Sequence, residues 1–231
     1  MNIYFLVEGK STEKKIYPAW LKYFIPELKQ VEFYDQVDKN NYFIISGKGY
    51  PSILYDGIPN AVQKIKKVGK YNYFVICIDA DEDTVTQRKQ DVFDFIESEK
   101  IKLDNTQIEV IIQNRCIETW LLGNRRIFNS RQPLEKPLLD YVNYYDVCRN
   151  DPELMGKYNI VNHATFHFKY LQQIFRCKNK NISYTKKFPC EAQKEHYFKQ
   201  LLNRIRDEPE HLQTFRSFIK FCEKIKQQIS T

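Results

Sequence analysis

Tyr73-Phe74-Val75-Ile76-Cys77-Ile78-Asp79-Ala80-Asp81-Glu82-Asp83 sets six apolar residues in a row against an abrupt run of acids. A short apolar run rich in β-branched and aromatic residues is the mark of a strand buried on both faces, as in a parallel sheet. Three further runs of this kind, at 3–7, 42–46 and 108–113, alternate with stretches of helical spacing. In a chain of 231 residues that alternation implies an α/β fold, a mostly parallel sheet flanked by helices.

The first helix is expected after Ser11, whose hydroxyl can cap it, with Pro18 kinking or restarting it. A second begins near Ser52 and carries Leu54, Ile58, Ala61, Val62 and Ile65 at helical spacing; a third spans about 84–100, and a fourth starts near Arg115. Residues 125–160, with Pro133, Pro137 and Pro152, are the least regular and are expected to link two regions. Beyond 162 the pattern turns helical. Phe198, Leu201, Leu202 and Ile205 form one apolar stripe, and Leu212, Phe215, Ile219, Cys222 and Ile225 another, with Pro189 and Pro209 suited to the first turns of these helices. The division is thus an α/β region over 1–124 and a basic, mainly helical region over 125–231.

Composition narrows the partners. No apolar stretch approaches the ~18 residues of a membrane span, and the N-terminal residues carry neither a basic leader nor a cleavage site, so a cytoplasmic protein without membrane contact is expected. Six cysteines without a C-x-x-C pair read as free thiols and argue against zinc. Lys and Arg number 16 against 18 Asp and Glu in residues 1–124, but 20 against 11 in 125–231, or −2 against +9. The basic bias is steepest over 165–206, where a phosphate-binding surface and an ordinary solvated helical face both fit.

The chemistry gathers at strand ends. Val7-Glu8-Gly9-Lys10 places a carboxylate at the end of the first strand, and Asp79-Ala80-Asp81 follows the third. In an open parallel sheet both segments face the crevice at the carboxyl edge, where ligands bind. If strand geometry persists, period two points Asp79 and Asp81 to one side. Two carboxylates ~4 Å apart repel by ~4 kcal/mol at an effective dielectric of 20, so such a cluster demands a proton or a cation. Hard oxygen donors suit Mg²⁺ or Mn²⁺, the metals of phosphoryl chemistry.

These residues resemble a family. A strand ending in Glu8-Gly9-Lys10, followed by a strand ending in Asp79-Ala80-Asp81, is similar to the Toprim domain of primases, topoisomerases, recombination-repair proteins and the nucleases of the OLD group. Arg115-Cys116-Ile117-Glu118-Thr119-Trp120-Leu121-Leu122 resembles an Arg-x-Ile-Glu-x-Trp-Leu-Leu motif of small stand-alone Toprim proteins, several from phage-defence islands. Tyr184-Thr185-Lys186-Lys187-Phe188-Pro189 loosely resembles the tails of those proteins.

The resemblance covers residues 1–124 and implies a metal-dependent nuclease cleaving DNA or RNA, with Mg²⁺ or Mn²⁺ as cofactor. By position Glu8 becomes the general acid/base or metal-bridging glutamate, Asp79 and Asp81 metal ligands, and Glu118 a residue that completes the metal site. Lys186, and after it Lys10, are the candidates for the basic residue facing the transition-state phosphate. Lys48, Arg115, Lys178, Lys180, Lys187 and Arg204 are the further candidates for nucleic-acid contact. The setting implied is phage defence, acting alone, as a homo-oligomer, or with an ATPase partner. The alternative is a non-catalytic Toprim-fold module that binds nucleic acid or a partner protein.

Plainer readings stand beside each of these. Glu8 could cap the first helix or pair with Lys10, acidic loops after strands are common capping devices, and Arg115 with Glu118 could form a structural pair. Trp120, Leu121 and Leu122 read as core. Gly9-Lys10-Ser11-Thr12 imitates a phosphate loop, but Tyr4 stands where its first glycine should be. His163 and His167 lack the glutamate of a zinc protease motif and read as surface or core histidines.

Overall fold

The computed structural model describes residues 1–127, 133–178 and 183–230. One sheet contains β1 (Asn2–Val7), β2 (Lys29–Gln30), β3 (Asn41–Ser46), β4 (Tyr73–Asp79) and β5 (Gln107–Gln113), in the spatial order β2-β3-β1-β4-β5. Every neighbouring pair is parallel. The helices are α1 (Glu13–Phe24), α2 (Ile58–Val68), α3 (Val85–Ser98), α4 (Ile117–Leu121), α5 (Leu138–Tyr144), α6 (His163–Lys178), α7 (Glu195–Asp207) and α8 (Gln213–Ser230). The fold is α/β with a helical C-terminal region.

Strand alternation splits the core in two. Ile3, Phe5, Val7, Tyr73, Val75 and Cys77 point to one face, while Tyr4, Leu6, Phe74, Ile76 and Ile78 point to the other. The first face is covered by Ile16, Tyr17, Trp20 and Leu21 of α1, and by side chains of α4, α6, α7 and α8. The second is covered by α2 and α3. Aromatic rings knit the first face together: Tyr17 stacks on Phe218 at 5.0 Å and Trp20 on Phe198 at 5.1 Å. Burying a side chain the size of Phe contributes about 1.5–3 kcal/mol, so this joint holds the C-terminal helices firmly on the sheet.

The order of the strands decides where a ligand can sit. The chain moves from β1 outward to β3, then returns past β1 to β4, so α1 and α2 lie on opposite faces. A crevice opens where that direction reverses, between the carboxyl ends of β1 and β4. Val7 lies beside Cys77 in that pair, and Asp79 beside Gln113 of β5.

Several local expectations are corrected. Pro18 does not restart α1, which runs through it to Phe24. Ser11 does not cap that helix; Thr12 is the cap position and its hydroxyl bonds elsewhere. Before α2 the chain makes one wide π turn, Ile53–Gly57. Pro189 precedes a short 3-10 turn, Cys190–Gln193, rather than opening α7, and Pro209 lies between α7 and α8. The irregular stretch does more than link, since Leu138, Val147 and Met155 enter the first core. All six cysteines are free, and among the described residues no helix is long and apolar enough to cross a membrane.

Candidate active site

Glu8 leaves the end of β1 with its amide still bonded to the Cys77 carbonyl at 2.9 Å. Its carboxylate turns across the crevice: Oε2 accepts from the Asp79 amide at 2.9 Å and Oε1 from the Tyr50 amide at 3.2 Å. Asp79, the last residue of β4, continues the alternation of Tyr73, Val75 and Cys77 and so faces the side covered by α1 and α4. Its Oδ1 is buried and has no hydrogen-bond partner.

Two more carboxylates close in from the covering helices. Glu13, in the first turn of α1, is buried, and its Oε1 accepts from the Gly9 amide at 3.1 Å. A side chain at residue 9 would displace that carboxyl from its place. Glu118, on α4, is 1% exposed and accepts from the Tyr184 hydroxyl at 2.9 Å. Lys186 completes the ring; its carbonyl is held by the Thr12 hydroxyl at 2.9 Å. The result is a cleft of about 300 Å³ whose lining includes Glu8, Glu13, Asp79, Glu118, Lys10, Lys48 and Lys186.

Burial and mutual repulsion act in the same direction here. The Asp79 carboxyl is pushed well above the usual range by burial, then by Glu8, Glu13, Glu118 and Asp81. Glu8 is raised by burial and by Asp81, against the pull of its two amide bonds. Glu13 is pushed up to about 7 by burial first, with Glu118 and Glu8 adding to it. Lys186 is raised in turn, chiefly by Glu118. The cleft therefore gathers acids whose joint ionisation is penalised, with Lys10, Lys48 and Lys186 on the same lining.

The acidic run divides at Asp79. Strand geometry stops there, and Asp81 adopts a left-handed φ of 51°, so period two does not carry Asp79 and Asp81 to one side. Asp81 stands near enough to raise Glu8 and Asp79, but it does not line the cleft. Burial raises its carboxyl, with Arg88 and Lys186 opposing. Its backbone is fixed by Arg115, whose carbonyl accepts from the Asp81 amide at 2.9 Å and whose guanidinium donates to the Asp81 and Asp83 carbonyls at 3.1 and 3.0 Å. Glu82 pairs with Lys157 at 2.6 Å and His163 at 3.1 Å; burial opposes them, yet they hold its carboxyl down at about 2. Asp83 pairs with Arg88 at 2.7 Å. Glu82 and Asp83 thus brace the loop.

The basic candidates scatter. Lys10, Lys48 and Lys186 line the cleft. Lys187 lies next door, its carbonyl accepting from Lys15 Nζ at 2.6 Å and its ammonium 5.6 Å from the Phe188 ring. Lys178 is exposed at the end of α6, and Lys180 lies outside the described residues. Arg115 serves the acidic loop. Arg204 is corrected outright: it is buried, and it donates to the Cys148 and Asn150 carbonyls at 3.1 and 2.8 Å and to His211 at 3.0 Å. A guanidinium so engaged holds a loop. His167 is a core residue, 2.7 Å from the Thr119 hydroxyl, with burial lowering it to about 3.

Sequence reasoning missed Glu13 and Tyr184. An acid in the first turn of a helix looks like an ordinary partner of the helix dipole, and a lone tyrosine far along the chain carries no local signal. Among the described residues no group of three or more His, Cys, Asp or Glu side chains is arranged to hold a metal ion as it stands. Three of the four carboxylates in the cleft are turned onto protein donors instead. The chain matches no family model, no curated protein and no solved structure.

Proposed function

We propose that this chain is a metal-dependent phosphodiesterase of the Toprim type that cleaves nucleic acid. One observation carries the reading: a buried Asp79 oxygen without a partner, inside a cleft that Glu8, Glu13 and Glu118 also line. Hard oxygen donors crowded together so that their joint ionisation is penalised fit Mg²⁺ or Mn²⁺. Glu8 and Asp79 would hold the ion, with Glu118 and Asp81 as the adjoining acids. Once bound, such an ion supplies a Lewis acid and lowers the pKa of a coordinated water.

The chain's own residues account for the remainder. Lys186 puts a positive charge into the same cleft, where the charge of a phosphoryl transition state would be met. Glu13, raised to about 7, is suited to exchanging a proton near neutral pH. Lys10 and Lys48 stand at the cleft to receive neighbouring phosphates, and the +9 excess of residues 125–231 draws a polyanion toward it. The setting we favour is cytoplasmic phage defence, with the chain acting alone, as a homo-oligomer, or beside an ATPase.

Purified chain incubated with Mg²⁺ or Mn²⁺ should cut at least one of plasmid, single-stranded DNA and tRNA. Asp79→Asn should lower the rate by at least ~100-fold, because a metal ion contributes several kcal/mol to such transition states. Mg²⁺ should also raise the melting temperature of the wild type but not of the variant. Absence of both cleavage and metal-dependent stabilisation would sink the reading. A second reading is favoured by the hydrogen bonds that already engage Glu8, Glu13 and Glu118: a non-catalytic module that binds nucleic acid or a partner protein and is indifferent to metal.

A further inference from the structure

Tyr50 lies one residue beyond Gly49, which lines the cleft, and its amide is the donor that holds Glu8 Oε1. The residue is nevertheless 41% exposed, in a chain that buries most of its large aromatic side chains. Beneath the ring sits the Arg88 guanidinium, 3.7 Å from the ring centroid. Arg88 is itself 3% exposed, clamped through Nη2 to Asp83 at 2.7 Å and ion-paired through Nη1 with Asp91 at 3.8 Å. Held between two carboxylates, the buried guanidinium is a fixed, flat support for one aromatic ring.

The arrangement is repeated once. Tyr55, on the π turn that follows, is 66% exposed and leans edge-on against Phe95 with 5.5 Å between centroids. Arg88 and Phe95 both belong to α3 and are seven residues apart, hence on one face and ~10 Å apart along the helix. Two exposed rings on one short segment are therefore each braced from the same helix. The first of them stands at the rim of the acidic cleft.

We propose that Tyr50, backed by Arg88, is a stacking platform for an unpaired nucleobase, with Tyr55 as a second and weaker position. The inference rests on the nucleic-acid reading above and specifies its substrate: a single strand, or a strand locally opened. Every base offers a π face to such a ring, whereas the faces of bases within a duplex are already covered by their neighbours. Selection for unpaired strand then follows from the ring, and phosphate contact from Lys10 and Lys48.

Binding can be read without catalysis. Fluorescence anisotropy in a chelator, with labelled single-stranded DNA, single-stranded RNA and duplex DNA of matched length, compares wild type with Tyr50→Ala, Tyr50→Trp and Tyr55→Ala. Tyr50→Ala should weaken both single strands by about ten-fold and leave the duplex unchanged, Tyr50→Trp should restore binding, and Tyr55→Ala should cost about three-fold. Tyr50 is exposed, so the variants should melt with the wild type, which separates lost stacking from lost folding. A chain that cuts nucleic acid but shows no Tyr50 dependence overturns the platform and leaves the nuclease reading intact. A chain that binds single strands through Tyr50 yet cuts nothing retains the platform and removes the nuclease. Binding to none of the three probes overturns both.

Discussion

Asp151 and Glu153 are buried much as Glu8 is, yet they sit in a different chemical situation from the acids of the cleft. Asp151 Oδ1 accepts from the Leu212 and Glu153 amides, each at 3.1 Å. Glu153 accepts from the Thr214 amide at 3.1 and 3.2 Å and from the Thr214 hydroxyl. The Leu212 and Thr214 donors lie at the start of α8, where helix amides lack partners of their own. Burial raises Glu153 to about 7, as it does Glu13. What differs is the company. Glu153 meets hydrogen-bond donors that need it, whereas Asp79 meets other carboxylates and leaves an oxygen unmatched. Burial of an acid alone therefore does not set the cleft apart; what does is burial among like charges, with one Asp79 oxygen left without a donor.

The contrast breaks most visibly under mutation. Glu153→Ala strips the donors at the start of α8 of their acceptor and should destabilise the chain by about 3 kcal/mol, read by urea unfolding. Asp79→Asn should act with the opposite sign at a pH high enough to ionise the Asp79 carboxyl, raising the stability of the metal-free chain on the order of 1 kcal/mol, because burial and its acidic neighbours penalise the charged form. If both substitutions destabilise alike, the two clusters are of one kind and the comparison fails.

A second consequence is a pH profile. Glu13 and Glu153 are raised from an ordinary 4.5 to about 7 in the folded state, so the folded chain binds these protons more tightly than the unfolded chain. Stability is then greatest below about pH 4.5 as far as these groups are concerned, and falls as pH rises through about 7. Thermal midpoints measured in a chelator across that range should decline, and Glu153→Gln should flatten part of the slope. A flat wild-type profile would count against both assignments. The smallest effect belongs to the cleft lysines. Lys10→Ala and Lys48→Ala should each weaken nucleic-acid binding a few-fold and reduce its logarithmic salt slope by about 1.

Legibility in the sequence followed burial. The four long strands agree within about two residues with the apolar runs that predicted them, because a strand covered on both faces admits almost no polar residue. The third helix was legible at its start as well, since Thr84 and Gln87 form a capping box. The two residues of β2 carry no pattern and were invisible, and Pro189 and Pro209 misled because prolines suit loops as well as first helical turns. At the cleft, Glu8 and Asp79 were legible as acids ending buried strands. Glu13 was not, because its role depends on the angle at which α1 returns over β1.

The sequence by itself determined that strands end in carboxylates and that the second half is basic, since apolar runs, acids and charge counts are local properties of the chain. Only the tertiary structure decided that Glu8 reaches Asp79 through the Asp79 amide, and that Glu82 and Asp83 turn to Lys157, His163 and Arg88. It alone brought Lys186 into the cleft and buried Arg204 away from it. The physical reason is that strand order and the closure of helices across the sheet bring together residues up to 178 positions apart, and no periodicity or composition encodes which partners will meet.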